Sequence, residues 1–119
     1  MPLNIVENPV ENPAALLDRP EAFLIFYSNV EEGRMWCSDC RAVDEHVRKV
    51  FSESDTGPVA AIVYVGSKPV WKAKDHVFRG EPLKIGGVPT ILKIREGKEV
   101  GRLVDKEINT QLEQFVSSD

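Results

Sequence analysis

The sequence predicts an α/β fold, with a central mixed sheet of four or five strands flanked by helices on both faces. Three observations carry this. Phe23-Leu24-Ile25-Phe26-Tyr27 and Val59-Ala60-Ala61-Ile62-Val63-Tyr64-Val65 are unbroken apolar runs, the pattern of strands buried on both faces. Between them Val43, Val47, Val50 and Phe51 recur on one helical stripe, and strand, helix, strand in that order implies a right-handed crossover between parallel strands. Further on, Thr90 to Arg95 and Lys98 to Val104 flank Glu96-Gly97, a tight antiparallel hairpin signal that makes the sheet mixed.

The remaining elements follow in order. Pro2, Pro9, Pro13 and Pro20 punctuate the first segment and leave room for one short helix around Ala14 to Asp18. Ser28 to Met35 is polar and contains Gly33, so it reads as a loop leading into the cysteine motif. The helix runs from about Cys37 to Glu53, with Arg41, Glu45, Arg48 and Lys49 on its wet side, and Gly57-Pro58 ends that segment. From Gly66 to Gly87 the breakers Pro69, Gly80 and Pro82 allow only helical turns near Lys74 to Phe78. A last helix carries Ile108, Leu112, Phe115 and Val116 on one side. There is no internal repeat, linker or low-complexity stretch.

A chain of 119 residues with 42% hydrophobic content can bury one compact core, so one domain over residues 1–119 is expected. The net charge is −4 and no stretch concentrates Lys and Arg, which argues against nucleic acid or acidic membranes as partners. Met1 to Asn8 has neither a positive region nor an unbroken apolar run, so it does not read as a signal or transit peptide, and no segment could cross a bilayer. The expected setting is the reducing cytoplasm. There, a close cysteine pair points to catalysis or metal binding rather than to a permanent bridge.

The chain has two cysteines, in Trp36-Cys37-Ser38-Asp39-Cys40 at the junction of loop and helix. Their offset puts both sulfurs on neighbouring positions of one helix face. Unpaired first-turn amides and the positive end of the helix dipole favour a thiolate on Cys37. The competing readings are two inert buried cysteines and zinc, which takes about four ligands; only His46 and His76 remain to help it, and their spacing fits no usual finger pattern. Gly86-Gly87-Val88-Pro89-Thr90 precedes the third strand. A cis bond at Val88-Pro89 would suit such a turn, and an ordinary trans turn proline is the alternative.

These features together resemble the thioredoxin fold over nearly the whole chain. Within that fold the sequence is most similar to the thioredoxin domain-containing protein 17 family. The shared residues are Trp36-Cys37-x-Asp39-Cys40, Asp44, Val65-Gly66-x-Lys68-Pro69-x-Trp71-Lys72, Phe78-Arg79 and Val88-Pro89-Thr90. The resemblance implies that Cys37 attacks a target disulfide and Cys40 resolves the mixed disulfide. It also implies that Pro89 is the cis-proline facing them, that the backbone of Val88 pairs with a bound substrate strand, and that Trp36 walls the sulfur. It further implies a monomer that binds no cofactor. Electrons would come from NADPH through thioredoxin reductase, for small disulfides such as cystine and for oxidised peroxiredoxins.

Several positions depart from the thioredoxin pattern. Ser38-Asp39 stands where Gly-Pro or Pro-Asp is usual: Ser38 adds donors that could solvate a thiolate, while Asp39 opposes it with negative charge. Ile25 falls near the position of the buried thioredoxin aspartate, leaving Asp44, one turn past Cys40, as a substitute acting through water. Asp105 stands in the final hairpin where thioredoxins generally have Gly in the substrate groove. The rival function from another class is a thioredoxin-like binding or adaptor module with an idle dithiol; the intact Cys-x-x-Cys argues against it.

Overall fold

The computed structural model describes residues 3–7, 12–52 and 59–118; Pro2, Pro9, Glu53 and the Gly57-Pro58 breaker lie outside them. Its strands are β1 (Leu3–Ile5), β2 (Phe23–Tyr27), β3 (Val30–Glu31), β4 (Arg34–Met35), β5 (Ala60–Tyr64), β6 (Thr90–Arg95) and β7 (Lys98–Val104). The α-helices are α1 (Ser38–Ser52), α2 (Lys68–Lys72) and α3 (Glu107–Ser117), joined by 3-10 turns at Pro13–Asp18 and Val77–Arg79. The main sheet has five strands in the order β1-β5-β2-β6-β7. Strand β2 pairs in parallel with β5, from Phe23 opposite Ala60 to Tyr27 opposite Tyr64, and antiparallel with β6.

The apolar runs are buried throughout because each strand alternates between two cores. Phe23, Ile25 and Tyr27 face one layer, with Val43, Val47 and Phe51 of α1 and Ile108 and Leu112 of α3. Leu24 and Phe26 face the other, with Leu16, Trp71, Phe78, Leu83 and Ile85 from the 3-10 turns, α2 and the loop before β6. Helices thus cover both faces of the mixed sheet, giving the fold class the sequence predicts. Phe23 meets Phe51 at a ring-centroid distance of 5.4 Å and Phe115 at 5.8 Å, locking both long helices onto the sheet. Lys93, also buried, sends Nζ to the carbonyl of Phe115 at 3.0 Å and to that of Ser118, satisfying orphan groups at the end of α3.

Two elements differ from the sequence expectation, and a third settles a choice it left open. Residues 28–35 form not a plain loop but a small hairpin, β3 with β4, turned by Glu32 and Gly33 at φ of 53° and 86°. Positive φ at both central residues is what the type I′ two-residue hairpin turn requires. Between β5 and β6 the helical turn expected near Phe78 is the 3-10 turn Val77–Arg79, but α2 precedes it: Pro69 lies in the first turn of α2, where a missing N–H costs nothing, so the expected breaker is a starter. The fifth strand, β1, pairs in parallel with β5, Leu3 opposite Ala60. Among the described residues no helix is long and apolar enough to cross a membrane.

Candidate active site

The site forms beyond the end of β2, where Ser28 and Asn29 leave the sheet and the β3–β4 hairpin returns the chain to Trp36. The Cys37 N–H donates to Ser28 Oγ at 3.1 Å, fixing the residue just ahead of α1. The Cys40 N–H donates to Cys37 Sγ at 3.4 Å, a first-turn amide aimed at the sulfur. The Cys37 thiol in turn donates to the Val88 carbonyl at 3.6 Å. Both cysteines are free thiols, Cys37 half-buried and Cys40 at 0% exposure. Burial pushes the Cys40 thiol far above its ordinary range, and the charge of neighbouring Cys37 adds to this, while hydrogen bonding from Ser28 pulls the other way.

The Val88-Pro89 peptide is cis, as is Glu81-Pro82. The Pro89 carbonyl accepts from the Asp105 N–H at 2.9 Å, and Thr90 Oγ1 donates to the Gly87 carbonyl at 2.7 Å. Asp105 therefore sits beside Pro89. It lies not within the hairpin but in the turn between β7 and α3, with φ of 55°. Trp36 stands on the other side, its Nε1 donating to the Gly66 carbonyl at 2.9 Å. The Gly66 N–H donates to Asn29 Oδ1 at 2.9 Å, which ties the end of β2 to the end of β5. Gly66 has φ of 110°, and a Cβ there would meet Val70 Cγ1 at 3.0 Å, so this junction requires glycine.

Cys37, Cys40, Trp36, Val88, Pro89 and Asp105 come together. Ser38 and Asp39 are exposed on the first turn of α1. Asp44 is directed elsewhere: both its oxygens accept from Arg48 Nε at 3.0 Å, and it acts on Tyr27, whose hydroxyl pKa burial and this carboxylate raise. Ile25 is fully buried in the same layer as Cys40. The histidines are occupied away from the dithiol. His76 Nε2 lies 2.7 Å from the Val65 carbonyl while Nδ1 accepts from the Phe78 N–H, and His46 meets Glu113 at 3.6 Å. Among the described residues no three His, Cys, Asp or Glu side chains gather as a metal would need.

The second shared motif is scaffold. The Arg79 guanidinium lies 4.1 Å from the Trp71 ring centroid, donates to the Trp71 carbonyl at 3.0 Å, and reaches the Gly86 carbonyl at 3.5 Å. Trp71 and Phe78 are both buried. Together they anchor the loop that presents Val88 to the sulfur. Two residues that hold the site, Ser28 and Asn29, carry no sequence signal beyond following a strand.

The sequence profile described as thioredoxin domain-containing protein 17-like, thioredoxin domain, matches residues 10–117. This chain belongs to that family. Thioredoxin domain-containing protein 17 of Danio rerio is 35% identical over 74 residues, 61% of this chain and 59% of the relative. Its Homo sapiens namesake is 39% identical over 61 residues, 51% of this chain and 49% of the relative. Thioredoxin-like protein Clot of Oryza sativa is 29% identical over 84 residues, 66% of this chain and 60% of the relative. These matches therefore span only about half to three fifths of the relatives' own length. A Schistosoma mansoni thioredoxin superposes with a TM-score of 0.61 at 18% identity, covering 96% of this chain and 92% of its own. A mutant thioredoxin of Halobacterium salinarum gives 0.59 at 18% identity, covering 96% and 87%. At that identity the likeness establishes the thioredoxin fold for this thioredoxin domain-containing protein 17-like chain.

Proposed function

We propose that this domain is a thiol–disulfide oxidoreductase that reduces small or accessible disulfides by cycling Cys37 and Cys40 between dithiol and disulfide. The observation that carries this reading is the inequality of the two sulfurs. Cys37 is half-buried with its thiol against the Val88 carbonyl, whereas Cys40 is at 0% exposure behind it. A nucleophile must be reached by its substrate; a resolving thiol need only reach its neighbour. The family's thioredoxin character supports a thiol redox role in the same direction.

The Cys37 thiolate attacks one sulfur of the target disulfide, forming a mixed disulfide and releasing the first substrate thiol. Cys40 then attacks Cys37 Sγ, releasing the second thiol and leaving the Cys37–Cys40 disulfide. The exchange runs entirely through sulfur, so no resident cofactor is needed. NADPH returns two electrons through a separate thioredoxin reductase. Cystine and oxidised peroxiredoxins are the substrates of this reading, and a cytoplasmic monomer is its setting.

The test is NADPH consumption with thioredoxin reductase and cystine. The wild-type protein gives turnover above the reductase alone and Cys37→Ser gives none; equal rates for the two would end the proposal.

A further inference from the structure

Four hydrogen bonds join Asn29, Trp36 and Gly66, and Asn29 takes part in three of them. Its Oδ1 accepts the Gly66 N–H at 2.9 Å, its own N–H donates to the Gly66 carbonyl at 3.4 Å, and its carbonyl accepts the Trp36 N–H at 3.3 Å. The fourth runs from Trp36 Nε1 to the same Gly66 carbonyl at 2.9 Å. Gly66 has no side chain to hold it and stands at φ of 110°, a conformation that glycine reaches easily and leaves as easily. The side chain that fixes this backbone is the Asn29 carboxamide, and the residue it fixes is the one whose carbonyl holds the indole. Trp36 is partly buried and packs, like Val88, against the layer that contains Val65 and Trp71.

We infer that Asn29 is a positioning residue for substrate docking: by fixing the Gly66 backbone it holds the Trp36 indole in place as the groove wall opposite Val88. The inference deepens the reductase reading and rests on it. In that reading a protein substrate lays an extended segment along Trp36 and Val88. An indole free to swing must be ordered each time a segment binds, and that ordering weakens binding. Cystine touches little beyond Cys37 and asks nothing of the wall. The nucleophile itself is seated by other groups, the Ser28 hydroxyl accepting the Cys37 amide and the Val88 carbonyl accepting its thiol. Asn29 thus bears on which disulfides dock rather than on how readily Cys37 attacks.

The experiment compares single-turnover rates of the reduced protein on cystine and on a disulfide-linked dimer of an extended, uncharged peptide. Asn29→Ala should lower the rate about tenfold on the peptide, the scale of one lost hydrogen bond, and less than about threefold on cystine. Trp36 should also become more open to acrylamide quenching, a signal that Trp71, 2% exposed, hardly disturbs. Asn29→Asp, which keeps an acceptor oxygen of the same reach, should restore the peptide rate and the quenching. Trp36→Phe, which keeps an apolar ring without the donor, should give the same loss on the peptide. The double variant should lose no more than either alone, because Asn29 acts through that indole. Thermal melting checks each fold, and Asn29→Ser, a smaller change that withdraws the acceptor, carries the test if Asn29→Ala does not fold. Equal losses on both disulfides, no loss on the peptide, or losses that add in the double variant would each overturn the inference. A wild-type protein that reduced neither disulfide would instead overturn the reductase reading beneath it.

Discussion

The Cys37 thiol donates to the Val88 carbonyl at 3.6 Å, joining residues 51 positions apart. That contact sets the sulfur against the peptide that precedes Pro89, while Cys40 lies sealed beneath it. The two thiols therefore differ in what can reach them before they differ in anything else.

Alkylation reads this difference directly. With iodoacetamide at neutral pH, Cys37 should react about tenfold or more faster than Cys40, which is at 0% exposure and held as a thiol by burial. Cys40→Ser should trap a mixed disulfide with substrate and Cys37→Ser should trap none. Mass spectrometry finding the first label on Cys40 would reverse the assigned roles.

Alkaline pH should weaken the fold. Burial raises both the Cys40 thiol, ordinarily at 9.0, and the Tyr27 hydroxyl, ordinarily at 10.0. Above those values the unfolded chain loses protons that the folded chain retains, so the stability is present in full below about pH 9 and is lost as pH rises. Each group contributes a slope approaching 1.4 kcal/mol per pH unit once its unfolded form titrates. Among the described residues the buried Tyr27 hydroxyl has no well-formed hydrogen bond, the Asp44 carboxylate being its polar neighbour. Tyr27→Phe should thus flatten the decline above pH 10 and change stability at pH 7 by no more than about 1 kcal/mol in either direction. A melting temperature that stayed level from pH 8 to 11 would contradict this.

Gly66→Ala should destabilise by about 1–3 kcal/mol, because a φ of 110° suits glycine and the new Cβ would press on Val70. The loss should show in a denaturant midpoint, and in Trp36 fluorescence, since the indole N–H is held by the Gly66 carbonyl. An unshifted midpoint would mean that the backbone there relaxes freely.

Charge around the groove should set substrate size. Asp39 is exposed on the first turn of α1 between the two cysteines in sequence, and Asp105 is bonded through its backbone to Pro89. A protein strand laid along Trp36 and Val88 would cover these carboxylates, and burying an unpaired charge is costly. Insulin should therefore be reduced poorly and cystine readily. Asp105→Gly should raise insulin turnover severalfold with little change on cystine, and its φ of 55° makes glycine acceptable to the fold. Insulin turnover unaltered in that variant would remove Asp105 from specificity.

The parts legible in the sequence were those with a repeating signal. Phe23 to Tyr27 and the hairpin around Glu96-Gly97 fall where composition and turn chemistry put them, because five consecutive apolar residues and an isolated Glu-Gly have few other uses. The β3–β4 hairpin has two residues per strand and mostly faces water, too short for alternation to register. Strand β1 is similar, with Ile5 63% exposed. Pro69 misled because proline ends a helix when interior and begins one when first. At the site, the cysteines were plain from their spacing and position. Ser28 was not, since its role exists only once α1 folds back over the end of β2. Asp44 was legible as a neighbour of Cys40 along the helix, but its pairing with Arg48 and its influence on Tyr27 depend on which way the side chain turns.

The dithiol is carried at the carboxyl ends of β2 and β5, two inner strands in parallel register, and Asn29 and Gly66 fasten those ends together. Exchange of amide hydrogens along this seam, such as that of Val65 bonded to the Tyr27 carbonyl at 2.9 Å, requires parting these strands, which lie between both cores. Small breathing motions of the outer hairpin leave that junction closed, so the reactive end of the molecule shares the slow clock of its centre.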